Sequence, residues 1–149
     1  RARQARLRPR AMIVLERPIR FEEVDSASIV FFARFFGFAH EAMELLFGEL
    51  PGGYARLVGE RRVGMPAVHA ESTFHAPLRY GDTVRIETTV ARLGRRSATI
   101  RYRMTRTQDG VLSAEVRHTV VCSNMNLMAS CDMPDDVRAL LERHVEANP

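Results

Sequence analysis

Asp25 is the residue of this 149-residue chain whose surroundings most invite chemistry. Ser26 and Ser28 flank it, and a run from Ile29 to Phe47 follows in which nearly every position is apolar. A carboxylate at the mouth of a helix meets unpaired backbone N–H groups and the positive end of the helix dipole. On spacing alone that makes Asp25 a cap, worth about 1 kcal/mol to stability. The other side chains able to do chemistry have plainer readings. His40 and Glu41 fall mid-helix, Glu41 on a polar stripe facing solvent or an interface. His69 reads as a strand histidine bonded to backbone, and His118 lies on the inward phase of its strand as a satisfied core histidine. Arg95 and Arg96 sit on a turn, where exposed arginines usually do nothing specific.

The elements that must position these groups follow from periodicity. Within Ile29 to Phe47 the exceptions Arg34, Gly37, Glu41, Glu44 and Gly48 recur at steps of three and four, so the spacing predicts one helix ending near Gly48. Five of the eight phenylalanines lie between Phe31 and Phe38, and each buries roughly 150–250 Å², so the rest of this helix is expected to be buried. A strand is predicted from Ile13 to Phe21, with Pro18 marking an edge or bend. A second short helix follows the Leu50-Pro-Gly-Gly53 break, over Tyr54 to Gly59. Beyond it the period becomes two: Val68 to Phe74, Val84 to Val90, Ala98 to Thr105 and Leu112 to Cys122 read as four antiparallel strands in a meander. Leu93-Gly-Arg-Arg96 and Gln108-Asp-Gly110 fall at hairpin turns. A C-terminal helix starts after Asp132, with Val137, Leu140, Leu141 and Val145 as its apolar face. The order is α+β, one antiparallel sheet curled around a long central helix, with a C-terminal helix.

Composition narrows the class without naming a function. One domain, 12–149, is expected. No apolar run reaches the roughly 20 residues a membrane-spanning helix needs. The pI of 9.8 arises from a tail: five of the 22 basic residues are arginines within the first ten positions. Without them 17 basic residues stand against 18 acidic ones, which argues against a folded nucleic-acid surface. Residues 1–11 read as a disordered basic arm or an upstream remnant preceding Met12. Cys122 and Cys131 lack metal-ligand spacing and read as structural thiols in a reducing cytoplasm, with no metal.

Three stretches carry a family likeness. Asp25-Ser-Ala-Ser-Ile-Val-Phe-Phe is similar to D-x-A-G-I-V-[FY]-[YFH]. Phe74-His-Ala-Pro-Leu-Arg-Tyr-Gly-Asp-Thr-Val84 is similar to F-x-x-P-x-x-x-G-D-x-V, and Gly94-Arg-Arg-Ser97 is a weaker third match. With them, residues 13 to 145 resemble a hotdog-fold acyl-CoA thioesterase of the 4-hydroxybenzoyl-CoA thioesterase type. The resemblance implies acyl-CoA hydrolysis, with Asp25 as nucleophile or general base and backbone N–H groups at Phe32 and Ala33 holding the developing oxyanion. It also implies substrate contacts from Ser28, from His69 reaching the acyl pocket of a partner subunit, and from Arg95 and Arg96 to the CoA phosphates. No cofactor is implied beyond the coenzyme A of the substrate, and no membrane or nucleic acid.

Two positions depart from the pattern. Ser28 stands where the family has Gly, and Phe32 stands where relatives often carry Tyr or His, which is expected to shift acyl preference toward apolar groups. Two other readings stay open: a non-catalytic acyl-CoA-binding protein, and a hotdog dehydratase or hydratase, whose H-F-P-G-x-P and D-x-N-x-x-H segments this chain lacks. A single five-stranded sheet leaves open edges, so a homodimer or homotetramer with the site between subunits is expected.

Overall fold

The computed structural model describes residues 12–147, so the basic segment 1–11 lies outside the described residues. Strand β1 (Ile13–Pro18) leads through a 3-10 turn (Phe21–Glu23) to helix α1 (Arg34–Phe47) and the short α2 (Gly53–Gly59). Then come β2 (Val63–Gly64), β3 (Ala67–Phe74), β4 (Thr83–Leu93), β5 (Ser97–Arg106) and β6 (Leu112–Val121). Two short strands, β7 (Ser123–Asn124) and β8 (Ala129–Ser130), precede α3 (Asp135–Arg143).

Alternation makes the strands, as expected. In β4 the residues Val84, Ile86, Thr88 and Val90 are fully buried, and in β5 so are Ile100, Tyr102 and Met104. All pairs in the main sheet are antiparallel, and the order is β1-β4-β5-β6-β3. The meander is therefore three strands long rather than four. β3 pairs with β6, not β4, because residues 75–82 carry the chain across from one edge to the other. The small sheet β2-β7-β8 has strands of two residues, too short for any periodicity to show in the sequence.

α1 packs on β1, β4 and β6. It differs from the sequence expectation at its start and around its circumference. Residues 29–33 are not helical, because longer-range hydrogen bonds claim their backbone. Val30 N–H donates to Leu78 O at 2.8 Å, Phe31 N–H donates to Glu23 O at 3.0 Å, and Val24 pairs with Val30 across a narrow loop. The apolar run thus divides into a loop and a 14-residue helix. Only one side of that helix is buried, by Phe35, Phe38, Ala39, Ala42, Met43, Leu46 and Phe47. Phe36 and Leu45, and the preceding Phe31 and Phe32, remain exposed.

The C-terminal helix buries Val137, Leu140 and Leu141. Val145 follows the helix and bridges Val90, where β1 no longer covers β4.

One polar group sits on the inward phase of β1. Arg17 is 6 % exposed; it donates to both oxygens of Glu23, at 3.0 and 2.5 Å, and its Nε lies 2.7 Å from Glu41 on α1. Its guanidinium also lies over the Phe38 ring at 4.3 Å. Glu41 is consequently more than a solvated stripe residue, since it helps neutralise a buried cation. Burial by itself would raise the Glu23 pKa, but the Arg17 hydrogen bonds and the Arg20 N–H outweigh it and hold the carboxyl below its usual range. A carboxyl lowered in the folded state adds stability above its unfolded pKa, near 4.5, and that stability is lost as pH falls through the folded value. Arg17→Met leaves Glu23 buried without its partner, a cost of about 3–5 kcal/mol, and lowers Tm by roughly 10 °C at pH 7. In Glu23→Gln the fall of Tm with acid below about pH 4.5 becomes shallower than in wild type, as calorimetry across pH will read.

Candidate active site

The loop between the 3-10 turn and α1 presents Asp25. Its N–H donates to Ile29 O at 2.9 Å, Ser28 N–H donates to its carbonyl at 2.9 Å, and its Oδ1 accepts from Ala27 N–H at 2.8 Å. The carboxylate therefore organises its own loop and does not cap α1. The N-cap of α1 is Ala33, which makes no side-chain capping bond. The cap reading of Asp25 is corrected by the late start of the helix. Asp25 is exposed, and its Oδ2 has no protein partner among the described residues.

Asp25 opens onto a cavity of about 530 Å³ whose walls include Val30, Phe32, Phe35, Phe74 and His75. Phe32 and Ala33 lie immediately before α1, and their N–H groups donate to no acceptor among the described residues. Uncommitted donors at a helix N-terminus are suited to an anion or a polarised carbonyl. Phe35 meets Phe74 edge-on at 5.1 Å, and the pair lines the apolar side. His75 and Arg79 share this cavity and were not singled out from the sequence. Their one signal was membership of the Phe74 to Val84 motif.

Ser28 does not line the cavity; its distinction is a φ of 64°, in the left-handed region. That conformation costs a side-chain-bearing residue roughly 1–2 kcal/mol and glycine almost nothing. The family's glycine thus has a backbone reason, and serine is strained there.

His69 is exposed on the edge strand β3, 3.5 Å from Glu71, and is not among the residues that line the Asp25 cavity. Arg95 and Arg96 follow β4, whose first residues lie beside the Asp25 segment through the Ile19 N–H to Asp82 O bond of 2.8 Å. Eleven strand residues at ~3.3 Å each put them ~35 Å from that end. Both pair with Asp132, at 3.4 and 2.7 Å. The fold therefore brings Phe32 to Asp25 and keeps His69, Arg95 and Arg96 away from it within one chain.

A second cavity, of about 430 Å³, lies between α1 and β3 and shares no lining residue with the first. Phe36, Ala39, His40, Met43, Tyr54 and His118 line it. His118 is not enclosed in the core as expected from its phase, but stands at the wall of this cavity with Tyr102 behind it. The Tyr102 hydroxyl lies 3.2 Å from His118 Nε2. Burial, with His40 adding a smaller push, lowers the His118 pKa to about 4. Cys122 and Cys131 are free thiols with sulfurs 3.7 Å apart, and burial pushes Cys122 up to about 12. Among the described residues no cluster of three or more His, Cys, Asp or Glu could hold a metal, and no helix is long and apolar enough to cross a membrane.

This fold and the matched segment define a hotdog-type thioesterase. Residues 19–141 match the family model described as "Thioesterase-like superfamily", and the chain belongs to that family. It is a thioester hydrolase by class. A thioesterase-superfamily protein from Jannaschia sp. CCS1 superposes with a TM-score of 0.84 at 30% identity, covering 95% of this chain and 98% of that one. A gentisyl-coenzyme A thioesterase superposes at 0.76 with 26% identity, covering 87% and 98%. The 1,4-dihydroxy-2-naphthoyl-CoA hydrolase of Synechococcus elongatus is 29% identical over 128 residues, covering 85% of this chain and 93% of the relative.

Ser28→Gly relieves the left-handed strain beside Asp25. It raises Tm by roughly 3 °C, for a gain of about 1 kcal/mol, in a thermal melt at pH 7.

Proposed function

We propose that the protein hydrolyses an aromatic or otherwise apolar acyl-CoA to the free acid and CoA, with Asp25 as nucleophile or general base. The observation that carries this reading is the single cavity shared by Asp25 and the uncommitted donor end of α1. A thioester carbonyl seated there accepts hydrogen bonds from Phe32 and Ala33 N–H, which stabilise the negative charge that develops on its oxygen. As general base, Asp25 takes a proton from water while the water oxygen bonds to the carbonyl carbon. The C–S bond then breaks, and the thiolate of CoA leaves and is protonated. As nucleophile, the carboxylate forms a mixed anhydride that water opens. The names of the relatives support an aromatic acyl group, since one hydrolyses a dihydroxynaphthoyl thioester and another a gentisyl thioester. Phe32 adds an apolar wall where relatives often carry a polar side chain.

The same reading includes a second copy of the chain. β3 is an open sheet edge whose exposed residues include Val68 and Phe74, and exposed Phe32 and Phe36 lie across the groove from it. Pairing two β3 edges satisfies the backbone and covers these side chains. It also supplies a route by which Arg95, Arg96 or His69 of one subunit reaches the Asp25 of the other.

Asp25→Asn keeps the Ala27 hydrogen bond through its amide oxygen but removes the base or nucleophile. It lowers kcat for thiol release from aryl acyl-CoAs by about 10²–10⁴, with Tm within 2 °C or so of wild type. A mutant that retains full rate on the best substrate overturns the assignment. Light scattering on the purified protein reads a dimer or a multiple of it, and Val68→Lys shifts the population toward monomer; a wild-type monomer overturns the shared-site arrangement.

A further inference from the structure

The second cavity, which the proposed reaction does not use, is where the structure goes further. Its lining is apolar except for His40, Tyr54 and His118. His40 is exposed and lies 3.2 Å from Glu44, one turn along the helix. Tyr54 is half-buried and packs on Phe47 with ring centroids 5.2 Å apart. His118 differs from both, because a buried residue fixes its orientation. It projects from the inner face of β6, opposite Ala70 of β3 and Ile100 of β5.

Tyr102 is fully buried, and His118 Nε2 is the one hydrogen-bond partner its hydroxyl has among the described residues. A phenol O–H without an acceptor in the interior costs about 1–3 kcal/mol, so the hydroxyl donates and Nε2 accepts. The imidazole proton then resides on Nδ1. That N–H has no acceptor among the described residues, in a ring that lines an open cavity. The lowered His118 pKa, near 4, is consistent with a neutral ring at pH 7.

We propose that His118, oriented by Tyr102, is a specificity residue that receives a neutral oxygen acceptor, a hydroxyl or carbonyl, at the far end of the acyl group. The inference rests on the hydrolase reading for the position of the thioester, and only for that. From Arg34, the first residue of α1 and next to the Asp25 cavity, to His40 at the second is a helical rise of ~9 Å, so the ligand is a ring system or chain long enough to pass the Phe35–Phe74 pair and reach from one cavity to the other. Phe36, Ala39 and Met43 cover its apolar body. A carboxylate at that end is disfavoured, because a neutral imidazole offers one hydrogen bond and no charge to offset desolvation.

The test compares naphthoyl-CoA with and without a hydroxyl on the ring edge remote from the thioester, and benzoyl-CoA with and without a para hydroxyl. Each pair is read twice: as kcat/KM for thiol release, and as Kd of the non-hydrolysable thioether analogues. Wild type favours the hydroxylated member of at least one pair by about tenfold or more, the discrimination one buried hydrogen bond supplies. His118→Leu brings that ratio to within about twofold of one. Tyr102→Phe, which removes the anchor and keeps the volume, lowers it too and serves where the leucine variant fails to fold. A wild-type ratio near one in both readouts, or a ratio unchanged in the variants, overturns the proposal. Absence of hydrolysis with the binding preference and its loss intact leaves the proposal standing and removes the hydrolase reading instead.

Discussion

The placement of Asp25 depends on a buried cation beneath its loop. Arg17 occupies an inward position of β1, where an isolated charge would cost several kcal/mol, and it is tolerated because Glu23 and Glu41 pair with it and Phe38 offers its ring face. Glu23 in turn fixes the chain on both sides of Asp25. Its side chain accepts from Arg20 N–H at 2.8 Å and its carbonyl accepts from Phe31 N–H at 3.0 Å. The loop that carries Asp25 is thus closed by one acidic residue held from below by Arg17. A hydrophobic pair in place of this network would bury well, but it would offer no acceptor for Arg20 N–H to set the loop's backbone.

The late start of α1 follows from that closure and has a second consequence. Because residues 29–33 are drawn into the loop, the helix that remains buries one face and leaves Phe32 and Phe36 beside the groove. Exposed aromatic side chains next to an open strand edge are an unfinished interface rather than a finished surface. In the proposed arrangement a ligand and a second subunit each cover part of it, which would tie substrate binding to assembly.

Much of this architecture was legible in the sequence, and the failures have physical causes. Strict alternation placed β4, β5 and β6 to within a few residues, because each strand buries one face. Periodicity could not tell that Ile29 to Ala33 stand outside the helix, since an apolar loop and an apolar helix turn have the same composition when tertiary hydrogen bonds decide between them. Nor could it place β3 beside β6, because strand order is set by a crossover that alternation does not encode. The Arg17 network has a signal in the sequence, since a charged residue at the inward phase after Ile13 and Leu15 demands a partner. The groove with His118 was half legible. Its inward phase was evident, but whether an inward histidine meets packed side chains or a cavity depends on what α1 leaves uncovered.

The two meanings of Asp25 with which the sequence began compete for the same atoms. A capping carboxylate consumes the first free N–H groups of a helix, and those are the groups a polarised thioester carbonyl needs. An aspartate that capped α1 would therefore weaken the site it was meant to serve. Here Oδ1 is committed to Ala27, within the loop, and α1 begins at Arg34, its N-cap Ala33 making no side-chain bond. The stabilisation that a cap would give, about 1 kcal/mol, is forgone, and the donors at Phe32 and Ala33 stay open. Strain at Ser28 points the same way, since a left-handed residue is what lets the loop turn back on itself three residues after Asp25. A helix start left uncapped beside a carboxylate that has been given its own turn is poor design for stability alone, and it supports a site kept ready for an incoming carbonyl.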